Sequence, residues 1–372
     1  MPTCVKPPWN LDSTRQIRRL LIKQCMEKKG KQTKNGILEE IEPHDKKIMK
    51  EILTTLRKRS AKSLKLAKKQ VVTMNIKSIE ARKALEFYAS NWDDVTHPGI
   101  LSLTCEAVGG EPKFAVPMQV IMLLLTGAID LHDDIIDQSE IKNGRPTVFG
   151  KFGKDIALLL GDALLLRGLL MLHRYGRSFP SKTVERVMST VEDRFFEFGN
   201  AHLSEIGLDR QFEISPEEYL KVLEQKGTTI ELHACLGAIV GGGSKADIEA
   251  IERYGKILGT LIAIREEFID IFEFEELRNR IKERRLPLPI LYALSNPQVK
   301  ESILSLETSS KRAKESFDRI VDLVFLNENV RRLIEMMYRL SKKGIRSLRR
   351  LSLKSQARDN LEMLIYGALE DL

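Results

Sequence analysis

The sequence predicts an all-α protein, and two observations carry that prediction. Long apolar stretches with a helical period dominate the chain, and the alternation of β-branched and polar residues that marks a strand is nearly absent. With 372 residues, 42% hydrophobic and 30% charged, the chain can bury one large core or two ordinary ones.

Residues 1–35 are polar and basic, carry Pro2, Pro7 and Pro8 near the start, and show little periodicity before Ser13. From Ile37 to Gln70 the pattern turns helical, with Ile41, Ile48, Ile52, Leu56, Leu64 and Leu66 spaced along a Lys-rich surface. This predicts an added helical layer. Residues 1–70 hold 19 Lys/Arg against 7 Asp/Glu, whereas the remainder holds 41 against 45. The net charge of +8 therefore belongs to a basic extension over residues 1–70, and the body, residues 71–372, is slightly acidic. A Lys-rich segment with few aromatics reads first as a solvated helical face, so no nucleic-acid partner is expected. Peripheral contact with an anionic membrane surface through the basic N-terminus is the partner it would suit.

Two helices are expected at 76–92 and 99–109, with Pro98 suited to helix initiation and Gly109-Gly110 to termination. A strongly apolar helix follows from Phe114 to Asp137. The next segment, 138–147, has Gly144 and Pro146 where a sharp turn needs them. Helix resumes over 157–165, and Ile156 to Leu172 is the best membrane-span candidate. Asp162 and Arg167 interrupt it, so a buried core helix is the expected reading. A helix over 181–206 precedes another entering at Ser215-Pro216-Glu217-Glu218, an N-cap with acidic first-turn residues. That helix is expected to run through Lys226-Gly227-Thr228-Thr229 to Gly241-Gly242-Gly243. Residues 246–276 form another, Leu286-Pro287-Leu288-Pro289 restarts the chain, and about three amphipathic helices reach Leu372. Cys4, Cys25, Cys105 and Cys235 lie far apart without metal-type spacing, and the N-terminus lacks the apolar core of a signal peptide. A soluble, cytoplasmic protein is expected.

Chemistry concentrates in two acidic stretches. At 100° per residue, Asp130, Asp133, Asp134 and Asp137 fall on one helix face, and Glu266-Glu267-Phe268-Ile269-Asp270 ends a second apolar helix at similar spacing. Like charges so placed repel. Their natural counter-charge is a hard divalent cation, because carboxylate oxygens with open water positions suit Mg²⁺, which shares its shell with phosphates. Two such helices packed antiparallel would hold the metal between them, with a pyrophosphate as third wall.

The ordered set Asp133-Asp134-x-x-Asp137, Gly144-Arg145-Pro146-Thr147-Val148 with Phe152-Gly153, Leu159-Leu160-Gly161-Asp162, Lys226-x-Thr228, Glu266-Glu267-x-x-Asp270 and Leu288-Pro289 before Tyr292-Ala293-Leu294 resembles the trans-isoprenyl diphosphate synthases, the polyprenyl synthetase family, over about residues 76–370. The resemblance implies an isoprenoid-synthase-type helical bundle around a deep apolar cavity, homodimeric, with 71–372 as the catalytic domain. It implies that Asp133, Asp137, Glu266, Glu267 and Asp270 hold Mg²⁺ against the diphosphate of an allylic prenyl substrate. Asp133, Asp134 and Lys226 take catalytic roles in it, Lys142, Lys226 and Arg285 bind the diphosphate, and Ala128 and Ile129 line the cavity. A small residue at Ala128, five before the motif, implies a substrate of C15 or longer.

The departures cluster where family members bind isopentenyl diphosphate. Residues corresponding to their cations and donors are Asp94, His97, Thr126 and Asn143. Glu266-Glu267 also stands where Asp-Asp is usual, and the segment from Asp270 to Leu288 is short. The leading expectation is a terpene synthase-like lyase that ionises the allylic diphosphate without isopentenyl diphosphate. The alternatives are a chain-elongating synthase or a prenyltransferase to another acceptor, and a non-catalytic partner subunit.

Overall fold

The computed structural model describes residues 46–142, 144–177, 179–208, 214–308 and 313–369. Expectations for residues 1–45 and for Asn143 fall outside them. The described residues form α1 (Lys46–Val72), α2 (Ile79–Asn91), α3 (Thr96–Ala107) and α4 (Pro112–Ile136), then a hairpin of β1 (Ile141–Lys142) and β2 (Arg145–Pro146). α5 (Val148–Phe152), α6 (Lys154–Gly176), α7 (Ser181–Leu208), α8 (Pro216–Lys226), α9 (Thr228–Val240) and α10 (Lys245–Phe272) follow. The chain ends with α11 (Phe274–Lys282), α12 (Leu288–Ala293), α13 (Pro297–Thr308), α14 (Ala313–Leu326), α15 (Glu328–Leu348) and α16 (Gln356–Leu369). The all-α expectation holds, and four C-terminal helices of eight or more residues stand where about three were expected.

Local chemistry starts these helices where the site needs them. Ser215 and Glu218 close a capping box at α8, with Pro216 in its first turn, and Ser244 with Asp247 does the same at α10. α9 is apolar on all sides and almost every residue from Thr228 to Val240 is buried, so it becomes the axis of the bundle. α3, α7 and α10 pack directly on it.

The helix expected to run unbroken from Ser215 to Gly241 breaks at Gly227 into α8 and α9. The cause is a close crossing with α10: a Cβ on Gly227 would lie 2.5 Å from the carbonyl carbon of Gly259 and 2.7 Å from the amide nitrogen of Thr260. Neither neighbour is a side chain that can rotate away. Gly227→Ala is therefore expected to destabilise the fold by about 2–3 kcal/mol or more, the upper range for overpacking. Urea unfolding measures it, and an unchanged midpoint would contradict the crossing.

Two other expectations are corrected. α1 runs from Lys46 through Val72, past the boundary drawn at residue 70, and its Ile52 and Leu56 belong to the main core. Leu56 fits against Gly99 so closely that a Cβ there would meet its Cδ2 at 2.6 Å. The outer face stays Lys-rich while the inner face is structural. α6, expected to be a buried core helix, is apolar around most of its circumference but packs chiefly through the side facing α4. Leu158, Leu159, Leu166, Leu169 and Leu170 are exposed on it, and Met188, Phe196 and Leu203 are exposed on α7. By length and composition alone, both α4 and α6 could cross a membrane, with 72% and 33% of their apolar windows buried.

Candidate active site

The last two turns of α4 carry the first acidic stretch, and Gly161 lets that helix lie close to α6: a Cβ there would meet His132 Nε2 at 2.4 Å. The four aspartates do not share one environment. Asp130 and Asp133 face a cleft, accessible to water yet ringed by protein, and burial pushes both carboxyls up to about 7 despite the opposing charge of Lys142. Asp134 is buried and takes Lys142 of the hairpin at 2.8 Å. Asp137, after the helix end, is paired with Arg285 Nη1 at 3.1 Å. His202 of α7, packed against Phe198 with the rings tilted by 58°, comes within 3.6 Å of Asp133.

Across the cleft, α10 turns Glu266 toward the same space, where it stays accessible to water. Burial raises its carboxyl above the usual range, opposed chiefly by Lys226 at the end of α8. Lys226 also lies in the field of Asp133. The predicted residues Asp133, Lys142, Lys226 and Glu266 are thus gathered around one space. The helices α4 and α10 do not pack on one another, as their matched acidic spacing suggested; α9 lies against both, and α3 bridges α9 to α4.

Glu267 and Asp270 point elsewhere. Glu267 is buried and accepts from both Nη atoms of Arg280 at 3.1 Å, from the Tyr219 hydroxyl at 3.1 Å and from the backbone N–H of Leu288 at 2.8 Å. Asp270 also accepts from Arg280. Neither Tyr219 nor Arg280 was singled out from sequence.

The floor near the start of α3 holds Asp94 and His97. Asp94 accepts from the backbone N–H groups of Thr96 at 3.1 Å and His97 at 3.2 Å, and its other oxygen lies 3.0 Å from His97 Nδ1. Burial opposes a charged His97, but Asp94, with Asp130 and Glu266 further off, outweighs it and raises the imidazole. His233 packs on that ring with centroids 4.7 Å apart, and burial drives it down to about 3. Thr126 turns its hydroxyl back to the Met122 carbonyl at 2.9 Å.

Ala128 does not border open space. It is 1% exposed and belongs to an apolar cluster with Trp92, Leu131, Leu160 and Leu164. Beside it, a Cβ on Gly127 would meet the Tyr88 hydroxyl at 2.4 Å and the Trp92 ring at 3.1 Å, so these two aromatics fill the depth that small residues would otherwise leave open. Ile129 is half-buried. A groove of about 530 Å³ between α1 and α16, lined by Ile52, Leu56, Leu103, Met363 and Leu364 among others, holds none of the predicted site residues.

The donor set that faces the cleft is hard oxygen on two walls. Among the described residues no three His, Cys, Asp or Glu side chains converge as a closed metal cage. Separated carboxylates whose charge is raised in cost by burial fit Mg²⁺, which keeps several waters and binds through one or two carboxylates plus phosphate.

Residues 95–324 match the family model described as polyprenyl synthetase. Among similar curated proteins, the short chain isoprenyl diphosphate synthase of Methanothermobacter thermautotrophicus is 29% identical over 210 residues, covering 55% of this chain and 64% of that one. The geranylgeranyl diphosphate synthase of Methanosarcina mazei is 26% identical over 204 residues, covering 55% and 62%. The chain spans under two thirds of the length of both. A geranylgeranyl pyrophosphate synthetase structure from Pyrococcus horikoshii superposes with a TM-score of 0.76 at 23% identity, covering 87% of this chain and 99% of that one.

Proposed function

Because this chain belongs to the polyprenyl synthetase family, we propose that it is a magnesium-dependent prenyltransferase that ionises an allylic prenyl diphosphate and joins the prenyl cation to an acceptor. The observation that supports it best is the convergence of Asp133, Glu266, Lys142 and Lys226 on one cleft. The ion would be held by Asp133 and Glu266, with Asp130 beside them, and supplies Lewis-acid stabilisation of the departing pyrophosphate. Lys142 and Lys226 add positive charge where the leaving group gathers negative charge. Tyr88 and Trp92 close the space beside Gly127, so they gauge the length of prenyl chain accepted.

The names of the relatives favour chain elongation with isopentenyl diphosphate as acceptor. One observation favours the lyase reading instead: Asp94 and His97 are spent on each other, in positions where the family resemblance calls for cations. An acceptor diphosphate carries two to three negative charges, and each lost charge-assisted contact weakens binding by about 1.5–3 kcal/mol. Incubation with C10 to C25 allylic diphosphates, Mg²⁺ and radiolabelled isopentenyl diphosphate decides between them. Elongation requires label in a lengthened prenyl diphosphate; prenyl hydrocarbon or alcohol formed at the same rate without label supports the lyase. Absence of pyrophosphate release under every condition would sink both.

A second copy of the chain is the partner proposed for the exposed apolar residues of α6 and α7. The exposed apolar residues run from Leu158 to Leu170 on α6 and from Met188 to Leu203 on α7, about 18 and 22 Å at 1.5 Å per residue, which is much apolar surface to leave in water.

A further inference from the structure

Arg280 has every donor engaged. Nε donates to the Arg285 carbonyl at 2.9 Å, one Nη donates to Glu267 Oε1 and Asp270, and the other donates to Glu267 Oε2 and the Tyr219 hydroxyl at 3.0 Å. Its side chain is 12% exposed and that of Glu267 is 7%. A planar guanidinium forked onto two carboxylates is geometrically fixed in a way a lysine would not be.

Resting on the magnesium reading of the cleft, we infer that Arg280 is the resident cation of the second acidic stretch: it withdraws Glu267 and Asp270 from metal binding and leaves Glu266 as the metal-facing carboxylate of α10.

The geometry of the helix makes the division. Glu266 and Glu267 differ by 100° around α10, so one faces the cleft while the other enters the packing between α8, α11 and α12. Glu267 already accepts four hydrogen bonds, two to each oxygen, which fills the lone-pair capacity of a carboxylate. A metal ion there would have to displace a buried, fully bonded guanidinium and leave it unpaired, a costly exchange. Asp270 lies only 40° around the helix from Glu266 and would be its natural partner at i, i+4. Arg280 reaches it first. Three carboxylates spaced like a metal motif therefore resolve into one ligand and one internal ion cluster. The same cluster fixes the backbone of Arg285, whose guanidinium reaches Asp137 on the opposite wall.

Mn²⁺ is the probe, used with the full chain and read by electron paramagnetic resonance as free against bound ion, without substrate turnover. Glu266→Gln should weaken Mn²⁺ binding at least tenfold, whereas Glu267→Gln, which keeps the shape and two of the four hydrogen bonds, should change it less than twofold. Arg280→Met should tighten binding or add a bound ion, because it frees two carboxylates. In EDTA, Arg280→Met and Glu267→Gln should each lower the melting temperature, and the double variant should lose less than the sum. Equal weakening by Glu267→Gln and Glu266→Gln would overturn the division of roles while leaving the magnesium reading intact. Failure of the wild type to bind Mn²⁺ would overturn that reading and the inference with it. If Arg280→Met does not fold, the comparison of the two glutamine variants still decides.

Discussion

Asp133→Asn is expected to lower pyrophosphate release by three orders of magnitude or more and, at the same time, to make the metal-free protein more stable at pH 8. The first effect follows from removing a carboxylate that faces the cleft and would hold the ion against the leaving group. The second follows from linkage. The Asp133 carboxyl is pushed from 3.8 up to about 7, so the native state binds this proton more tightly than the unfolded chain does. The contribution of this group to stability is therefore greatest below about pH 4, is lost as pH rises through about 7, and stays absent above it. A tenfold difference in proton affinity between the two states corresponds to about 1.4 kcal/mol. Sharing of the effect with Asp130 and access to water reduce the expected gain to something on the order of 2 kcal/mol. Thermal melts in EDTA at pH 5 and pH 8 measure it. A variant that is inactive but less stable at pH 8 would mark Asp133 as a structural residue; one that keeps wild-type turnover would remove it from the site.

Chelation of divalent ions should abolish pyrophosphate release outright, and the Mg²⁺ needed to restore half of it should fall steeply as pH rises from 6 to 8. Burial pushes Asp130 and Asp133 both up to about 7, and Glu266 is raised as well. Each proton must leave before the oxygen can serve the ion, so apparent affinity rises with pH across that window and levels off above it. Turnover that survives EDTA, or a Mg²⁺ requirement indifferent to pH, would show that the cleft carboxylates do not hold the ion.

The spacing of Asp130, Asp133, Asp134 and Asp137 was enough to place them together at the end of an apolar helix. It could not say what would cover them. Asp134 is claimed by Lys142 because the hairpin folds back over the helix end, and that return depends on a turn through Gly144. Glu266, Glu267 and Asp270 illustrate the same limit more sharply. Their periodicity is that of a metal motif, but α10 stops at Phe272 and α11 leaves at an angle through an extended Glu273, bringing Arg280 back onto them. Nothing local marks Arg280 in a run of alternating charges. α6 misled for another reason: hydropathy reports that a face avoids water but not which molecule covers it. The break at Gly227 was hidden because glycine in a helix signals a close approach without naming the partner, here Gly259 thirty-two residues on.

Under the proposed function the acidic mouth would also govern how a diphosphate substrate arrives. A bare diphosphate, with two to three negative charges, would meet Asp130, Asp133 and Glu266 beside Lys142 and Lys226, so above about pH 7, where Asp130 and Asp133 ionise, its approach would be slowed by repulsion that acts over about 10 Å at 0.1 M salt. A diphosphate already complexed with a divalent ion has lost most of that charge and meets little barrier. On that reading the cleft would sort its visitors by kinetics before any contact is made: added salt would speed the bare anion's encounter and leave that of the neutralised complex nearly unchanged.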